Sequence, residues 1–361
     1  MKAVILVGGE ATRLRPLTQN IPKAMVPVLN RPFLEYVIRN LHSHQVRDII
    51  LTQSHFASPI KDYFQDGSQF DVKLTYVIED SQMGTAGAVK NAGSYLNSTF
   101  LVLNGDIFNY LDIMAMIAFH RASKAMATIS LTPVADPTSY GLIETDAANK
   151  VTRFLEKPAP EQVTTNMINS GTYILEPEIL NLIPSGARFS FERDLFPLLL
   201  EQGEPVYAYP SNAYWIDIGT TEKYLKLNLD LLGDSNLNTH AKDKDFIVTG
   251  EQSFIDPKAH IQGPVVIGNN CNIENSVKLI GPVVIGPGCT VLEDSVVEAS
   301  VIWRDTCLGK NVTLRNSVIA DSCHLSDGIT LDSCILGDNV TVAGGSVMEP
   351  GSKIEPGTVY P

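Results

Sequence analysis

The sequence has 361 residues, of which 44% are hydrophobic, and its formal net charge is −13 at pH 7. This length allows two domains with substantial cores, and the negative charge argues against nucleic acid or an anionic membrane as a partner. No apolar run reaches the roughly eighteen residues of a membrane span, and the amino terminus lacks the features of a signal peptide. We therefore expect a soluble, cytoplasmic protein in which any anion site depends on local cations.

A glycine-rich loop follows the first apolar run of the chain. Residues 3–7 have the pattern of a buried β-strand, and Gly8-Gly9 follow it directly. Paired glycines let the backbone turn tightly and bring its N–H groups close to an anion. Arg13 and Lys23 place two cations near the mouth of this loop. The combination indicates a phosphate cradle; an ordinary strand-ending turn with solvated cations is the alternative.

Strand-like and helix-like segments alternate over residues 1 to about 130. The predicted strands are 3–7, 48–52, 74–78 and 100–103, and the predicted helices are 32–41, 85–95 and 113–120. This alternation indicates a mostly parallel sheet covered by helices on both faces. Ligands of such sheets usually bind beyond the carboxyl ends of the strands, where both Gly8-Gly9 and Asn104-Gly105-Asp106 are expected to lie.

The pattern changes between residues 127 and 209 to β segments with two short helices. Here we predict a hairpin from 141–145 and 151–155, a strand at 167–175 and, further on, a helix at 221–232. The polar run at 233–244 is the best candidate for a linker. We therefore predict one domain at residues 1–232, a linker at 233–252 and a second domain at 253–361.

The last third of the chain is a sequence repeat. An aliphatic residue or methionine returns about every sixth position: Ile255, Ile261, Ile267, Ile273, Leu279, Ile285, Val291, Val297, Ile302, Leu308, Leu314, Ile319, Leu325, Leu331, Leu336, Val342, Met348 and Ile354. A small or β-branched residue stands two positions before most of them. Three such steps make one coil with three flat faces, which is typical of the hexapeptide parallel β-helix. About six coils are present.

The cysteines give no sign of a metal site or a disulfide framework. There are five, none precedes Cys271, and no Cys-x-x-Cys pair occurs. Four of them occupy the small-residue positions of the repeat. We expect buried, reduced thiols that serve packing.

Several short motifs occur in a characteristic order: Gly8-Gly9-x-x-Thr12-Arg13-Leu14-Arg15-Pro16-Leu17-Thr18, Pro22-Lys23, Gly84-Thr85-Ala86-Gly87, Asn104-Gly105-Asp106, Glu156-Lys157-Pro158, Asn169-x-Gly171-x-Tyr173 and Trp215-x-Asp217-x-Gly219. With these motifs and the hexapeptide tail, nearly the whole chain resembles the sugar-1-phosphate nucleotidyltransferase family, and most of all its mannose-1-phosphate guanylyltransferase branch. The resemblance implies a Rossmann-like α/β domain with a mixed, mostly parallel sheet, followed by a left-handed β-helix. Ala11 departs from the family, whose loop usually has glycine there; if that position needs a positive φ, alanine strains the turn.

The family reaction joins two anions. A phosphate oxygen of the sugar 1-phosphate attacks the nucleotide α-phosphorus in line, and pyrophosphate leaves. Positioning and electrostatic stabilisation carry most of such chemistry. By family match, Asp106 and Asp217 would hold Mg²⁺, which typically takes one or two protein carboxylates plus phosphate oxygens. Taken singly, an Asp after a strand is more often a helix cap or turn former.

The resemblance also implies roles for the other motif residues. Arg13 and Lys23 would neutralise the triphosphate, and Lys157 would hold the sugar phosphate; a solvated hairpin end is the other reading of the Glu156-Lys157 pair. Sugar binding would involve Gly141, Glu156, Lys157 and Asn169. Nucleotide binding would involve Leu6, Gly8, Gly9, Arg13, Lys23, Glu79, Gly84 and Thr85. The catalytic set would be Arg13, Lys23, Asp106, Lys157 and Asp217.

The choice of base is tied to Glu79. Relatives that use uridine nucleotides carry a base-reading side chain near this position. A carboxylate only accepts hydrogen bonds, and guanine presents neighbouring N–H donors, whereas uracil and thymine present one donor between acceptors. This favours GTP, although Glu79 as an exposed strand-end residue is the other interpretation.

Three alternatives stay open. One is a glucose-1-phosphate enzyme that uses dTTP or UTP. Another is a regulatory subunit without catalysis, although all five catalytic motif residues are present. The third is a second, acyltransferase activity in the β-helix, for which only His260 and His324 lie in the repeat. The tail is expected to mediate homo-oligomer assembly or to sense a ligand.

Overall fold

The computed structural model describes residues 1–9, 11–53, 58–79, 81–233 and 246–361. Within these ranges the chain forms two compact units. The first comprises Met1–Glu10 and Leu34–Asp217, and the second comprises Ala11–Phe33 and Ile218–Pro361. Much of the predicted linker, residues 234–245, lies outside the described residues. None of the helices in the described ranges has the length and apolar content needed to cross a membrane.

Strands and helices alternate through the first 233 residues. The strands are β1 (Lys2–Leu6), β2 (Pro27–Val28), β3 (Arg31–Pro32), β4 (Asp48–Gln53), β5 (Lys73–Ile78), β6 (Phe100–Asn104), β7 (Ile107–Asn109), β8 (Ala127–Pro133), β9 (Gly141–Thr145), β10 (Val151–Glu156), β11 (Met167–Leu175), β12 (Val206–Pro210) and β13 (Trp215–Asp217). The α-helices are α1 (Phe33–Ser43), α2 (Ser58–Phe64), α3 (Gly84–Asn91), α4 (Ile113–Ser123), α5 (Phe196–Glu201) and α6 (Thr221–Gly233). The predicted strands and helices are confirmed, apart from small shifts at their ends. Helix α2 was not predicted, because seven residues with a proline show too little periodicity.

The main sheet of the first unit has the order β10-β9-β11-β6-β1-β4-β5, and β8 joins it beside β11 with β12 beyond. Strand β1 is parallel to β4 and β6, and β5 is parallel to β4. Strand β11 runs antiparallel to β6, so the sheet is mixed. Ala3, Val4 and Ile5 are fully buried, as expected of a strand covered on both faces. The carboxyl ends of β1, β4, β5 and β6 therefore meet at one edge.

The second unit contains the repeat, which forms a parallel β-helix. Its strands are β14 (Ile247–Thr249), β15 (Phe254–Ile255), β16 (His260–Gln262), β17 (Val265–Ile267), β18 (Asn272–Ile273), β19 (Lys278–Ile280), β20 (Val283–Ile285), β21 (Thr290–Val291), β22 (Val296–Glu298), β23 (Val301–Ile302), β24 (Cys307–Leu308), β25 (Thr313–Arg315), β26 (Val318–Ile319), β27 (His324–Leu325), β28 (Thr330–Asp332), β29 (Ile335–Leu336), β30 (Thr341–Val342), β31 (Lys353–Ile354) and β32 (Val359–Tyr360). Over residues 246–361 they build three parallel sheets, one for each face of the coil.

The periodic residues fill the interior of this β-helix, as predicted. Every member of the series is buried except those in the end coils, Ile255, Ile261 and Ile354, which are half-buried. The four cysteines in small-residue positions are buried and reduced; Cys289, for example, donates its thiol hydrogen to the carbonyl of Trp303 at 2.8 Å. The predicted packing role of these thiols is confirmed.

The segment Ala11–Phe33 is bonded to α6 and to the β-helix within the second unit. The amide of Leu29 donates to Oδ1 of Asn228 at 3.0 Å, and Nδ2 of Asn30 donates to the carbonyl of Ile285 at 2.8 Å. The hydroxyl of Tyr224 donates to the carbonyl of Pro27. These hydrogen bonds attach the segment Ala11–Phe33 to the rest of the second unit.

Leu314→Ala should destabilise the β-helix by about 2–5 kcal/mol, because it removes a fully buried side chain and leaves a cavity. Urea unfolding followed by circular dichroism measures the loss. Val347→Ala is the matched control, since Val347 is 84% exposed and should change the free energy of unfolding by less than about 0.5 kcal/mol. Equal effects of the two substitutions would contradict the packing described.

Candidate active site

At the edge of the main sheet where the parallel strands end, the backbones of two segments approach each other closely. Leu6 lies opposite Asn104 in the β1–β6 pairing, and the amide of Gly105 donates to the carbonyl of Leu6 at 2.9 Å. A Cβ atom on Gly105 would lie 2.5 Å from that carbonyl oxygen, so only glycine fits. The turn after β6 is thereby held against the end of β1, directly before Gly8 and Gly9.

The two motif aspartates lie on neighbouring positions of a small ribbon. Strands β7 and β13 pair antiparallel, with Asp217 opposite Ile107, the residue after Asp106. Both carboxylates are half-buried. Tyr140 donates its hydroxyl hydrogen to Oδ2 of Asp217 at 2.8 Å. The two motifs, 111 positions apart in the sequence, therefore lie on paired segments of the structure.

This donor set fits a hard divalent cation. Mg²⁺ prefers oxygen ligands and usually takes only one or two carboxylates from the protein, with the rest of its shell supplied by water and phosphate. Across the described ranges, no group of three or more His, Cys, Asp and Glu side chains is placed to hold a metal ion. Asp106 and Asp217 suit an ion that is shared with a phosphate ligand.

Tyr140 also fixes the end of β10. Its carbonyl accepts a hydrogen bond from the amide of Lys157 at 2.9 Å, while its hydroxyl binds Asp217. Lys157 is exposed and has a φ of 50°, a left-handed conformation that is uncommon for a residue with a side chain. One tyrosine thus bonds both a motif lysine and a motif aspartate. Sequence reasoning did not identify Tyr140, because no local pattern distinguishes it.

Glu156 is half-buried beside Gly141. The two residues are opposite each other in the β9–β10 hairpin, and a Cβ atom on Gly141 would lie 3.1 Å from Oε2 of Glu156. Burial raises the pKa of the Glu156 carboxyl, and the nearby charge of Glu192 raises it further, while Lys157 and Arg193 lower it. The predicted hairpin is confirmed.

Asn169 belongs to a chain of hydrogen bonds that ends on Glu192. Its Nδ2 donates to the hydroxyl of Tyr173 at 2.8 Å, and its Oδ1 accepts from the amide of Gly171 at 2.9 Å. Tyr173, which is fully buried, donates to Oε1 of Glu192 at 3.0 Å. Burial and the charge of Glu192 raise the pKa of Tyr173 well above its usual value, so this hydroxyl stays protonated.

The start of α3 is packed against the segment that carries Glu192. The carbonyl of Phe189 accepts from the amides of Ala86 and Gly87, both at 3.0 Å. Gly84 has a φ of 71°, and a Cβ atom there would lie 2.7 Å from the same carbonyl oxygen. The hydroxyl of Thr85 donates to Oε2 of Glu192 at 3.0 Å. The Gly84-Thr85 motif therefore matches a close contact inside the protein.

Glu79 lies between β5 and α3. It is half-buried, burial raises its pKa, and its carboxylate accepts from the amide of Met83 at 3.4 Å. Its own amide donates to the carbonyl of Gln53 at 2.8 Å. Oε1 of Gln53 is buried and has no hydrogen-bond partner among the described residues. Gln53 thus adds a polar group at this edge that sequence reasoning did not identify.

Arg13 and Lys23 belong to the second unit. Each is in a short 3₁₀ turn, Thr12–Leu14 and Lys23–Met25 respectively; Arg13 is exposed and Lys23 is half-buried. Ala11 has a φ of 47° and a ψ of 35°, so the position where the family usually has glycine is left-handed, and alanine is strained there by roughly 1–2 kcal/mol.

Two family models match the chain. A family model described as Nucleotidyl transferase matches residues 2–233, and one described as GMPPB C-terminal domain matches residues 261–356. UTP–glucose-1-phosphate uridylyltransferase of Synechocystis is 36% identical over 328 residues, which cover 86% of this chain and 84% of that protein. Mannose-1-phosphate guanylyltransferase of Mycobacterium tuberculosis is 38% identical over 232 residues, which cover 64% of each chain.

A solved structure shows the same fold for the first part of the chain. The crystal structure of HddC from Yersinia pseudotuberculosis is 36% identical, with a TM-score of 0.56, and the match covers 63% of this chain and 97% of HddC. A second HddC structure, complexed with GMP-PN, gives a TM-score of 0.55 at the same identity. The resemblance drawn from the sequence motifs is confirmed.

Gly84→Ala should destabilise the protein by at least about 1 kcal/mol more than Gly203→Ala. Both glycines have a positive φ, 71° and 73°, but nothing lies within 4 Å of a Cβ atom on Gly203. Because the backbone strain is similar in the two variants, the difference between their losses of stability measures the collision with Phe189. Urea unfolding measures both variants, and equal losses would show that the contact at α3 does not require glycine.

Proposed function

The chain belongs to the nucleotidyl transferase family, and on that premise we propose that it transfers a nucleotidyl group from GTP to mannose 1-phosphate and releases pyrophosphate. The wider reaction, nucleotidyl transfer to a sugar 1-phosphate, is supported by the names of relatives that match 86% and 64% of the chain. A guanylyltransferase of 38% identity and the family match of the tail favour the guanine nucleotide and mannose.

One observation carries the proposal. Tyr140 bonds Asp217 through its hydroxyl and Lys157 through its carbonyl, while the β7–β13 pairing brings Asp217 next to Asp106. One carboxylate and the backbone of one lysine are thus bonded to a shared residue, and the strand pairing brings the second carboxylate close to the first. That is the combination needed to bring two anionic substrates together.

Members of this family generally use a divalent metal ion, and Asp106 and Asp217 fit Mg²⁺. When bound, such an ion neutralises phosphate charge and orients phosphate oxygens. Lys157 binds the phosphate of the sugar and directs one of its oxygens toward the α-phosphorus. Because the attacking group is already ionised, no general base is required for this step.

Arg13 and Lys23 neutralise the triphosphate, on which negative charge grows as pyrophosphate leaves. The amides of the Gly8-Gly9 loop contribute further donors. Gly9 is exposed and a Cβ atom there would meet nothing within 4 Å. Among the described residues nothing would meet that atom, so there is room for a ligand at this position.

Glu156, Asn169 and the backbone of Gly141 bind the sugar hydroxyls. Leu6, Glu79, Gly84 and Thr85 border the nucleoside. The acceptor carboxylate of Glu79 suits the N–H donors of guanine, although it already accepts from Met83. We propose in addition that the β-helix joins copies of the chain into a homo-oligomer and that the catalytic domain spans residues 1–232.

A uridylyl or thymidylyl transfer to glucose 1-phosphate is the second candidate. It is favoured by the Synechocystis relative, whose match covers more of this chain than that of the guanylyltransferase. Incubation with Mg²⁺ and a matrix of nucleoside triphosphates and sugar 1-phosphates, with pyrophosphate as the readout, decides between them. We expect the highest kcat/KM for GTP with mannose 1-phosphate; a preference for UTP with glucose 1-phosphate establishes the second candidate instead.

Asp217→Asn should reduce Mg²⁺-dependent turnover by at least a thousandfold or so, since it removes a charged metal ligand while the amide oxygen still accepts from Tyr140. Turnover and thermal unfolding are measured together. Asp112→Asn is the control, because Asp112 caps α4 and asparagine caps a helix equally well. Substantial activity in the Asp217 variant would refute its assignment as a ligand.

Lys157→Ala should lower kcat/KM for the sugar phosphate roughly a hundredfold or more, by analogy with the loss of a charge-stabilising donor. Lys124→Ala is closely matched, because Lys124 is also exposed and has a φ of 48°. Both substitutions replace a lysine whose backbone is left-handed. Any difference between the two variants is therefore due to the ammonium group of Lys157 and not to the backbone. If both variants keep wild-type kinetics, Lys157 does not bind the phosphate.

A further inference from the structure

Glu192 is a carboxylate that accepts three hydroxyl groups at once. It lies in the π-helical turn Phe191–Leu195. Its Oε2 accepts from Thr85 at 3.0 Å and from Ser190 at 2.6 Å, and its Oε1 accepts from Tyr173 at 3.0 Å. An ionised carboxylate, which only accepts, satisfies three donors better than any neutral side chain can.

Two of these hydroxyls come from different parts of the proposed site. Thr85 lies in the first turn of α3 on the nucleotide side, and its hydroxyl also accepts a hydrogen bond from the amide of Phe191 at 2.9 Å. Tyr173 lies on β11, and its oxygen accepts from Nδ2 of Asn169 on the sugar side. Glu192 is 107 residues from Thr85 and 19 from Tyr173, so its carboxylate joins segments that are distant in the chain.

We propose that Glu192 is a positioning residue that sets the geometry of the nucleotide and sugar subsites together, by holding Thr85 on one side and the Tyr173–Asn169 pair on the other. The proposal rests on the function proposed above. Glu192 acts through these neighbours rather than on a reacting atom, because its two oxygens are occupied by their hydroxyls.

Replacing Glu192 by glutamine tests the need for the charged acceptor. Glutamine keeps the shape of the side chain, but it has one acceptor oxygen and an NH₂ group that faces hydroxyl donors. At least one of the bonds to Thr85, Ser190 and Tyr173 must then break or reverse. The subsites should loosen, with KM rising for both substrates.

The same substitution changes the electrostatics of Glu156. The charged and titratable groups around Glu156 are Glu192, Lys157, Arg193 and Tyr173. Glu192 is one cause of the raised pKa of Glu156, so its loss lowers that pKa. The ionised, hydroxyl-accepting form of Glu156 then persists to lower pH, and the acid limb of the kcat/KM profile moves to lower pH. The loss of a negative charge remote from Glu156 would not produce this shift.

The experiment compares wild-type protein, Glu192→Gln and Glu201→Gln. Glu201 is exposed at the end of α5, so its variant controls for the loss of one negative charge. For Glu192→Gln we expect KM to rise roughly tenfold or more for both the nucleotide and the sugar phosphate, and the acid limb to move to lower pH. Thermal unfolding and circular dichroism show whether each variant is folded.

Two further variants distinguish the effect of Glu192 on the sugar subsite from its effect on the nucleotide subsite. Tyr173→Phe removes the hydroxyl that bonds both Glu192 and Asn169, and it should raise KM mainly for the sugar phosphate. Thr85→Val removes the hydroxyl that bonds Glu192 and the amide of Phe191, and it should raise KM mainly for the nucleotide. Wild-type KM values and an unchanged acid limb in Glu192→Gln, equal to those of Glu201→Gln, would overturn the proposal.

A measurement without turnover keeps this test distinct from that of the proposed function. The pKa of Glu156 is followed by NMR of carboxyl-labelled glutamate, with Glu156→Gln assigning the signal. A lower pKa of Glu156 in Glu192→Gln supports the electrostatic coupling between the two glutamates, even if no substrate pair releases pyrophosphate. A lack of pyrophosphate release would overturn only the proposed function. An unchanged pKa overturns the coupling whatever the activity.

Discussion

The approach of Gly105 to the carbonyl of Leu6 is the constraint on which the first unit's site depends. The parallel pairing of β1 with β6 brings two strand ends together, but the turn after β6 can rest against β1 only because residue 105 has no Cβ atom. Asp106 follows directly, and the β7–β13 pairing then places Asp217 beside it. A backbone contact inside the sheet thus determines where two carboxylates lie.

Side-chain hydrogen bonds then join the loops around that edge. Tyr140 bonds both Asp217 and the amide of Lys157, and Glu192 bonds Thr85 and Tyr173. Each connector is buried at least in part, where hydrogen bonds are stronger and an unsatisfied group is costly. Such connectors give loops the fixed geometry that a reaction between two anions requires.

The segment with Arg13 and Lys23 has a different set of partners. It belongs to the compact unit that also contains α6 and the β-helix, and Tyr224 links it to that unit: its hydroxyl donates to Pro27 and accepts from Nε1 of Trp303 at 2.9 Å. The β-helix therefore makes contacts beyond those between its own coils. It supplies bonded partners to the segment that carries two of the proposed catalytic cations.

The sequence by itself determined the alternation of strands and helices, the β-helix and the motif residues, because periodicity and glycine loops are local signals. It also identified Ala11 as a departure from the glycine that the family usually has, at a position where the backbone is left-handed. Only the tertiary structure decided the roles of Tyr140 and Glu192. Apart from Ser190, which is a neighbour of Glu192 in the chain, their partners are between 17 and 107 residues away, and a lone tyrosine or glutamate carries no pattern. Bonds between distant segments are made by folding, so no local feature of the sequence records them.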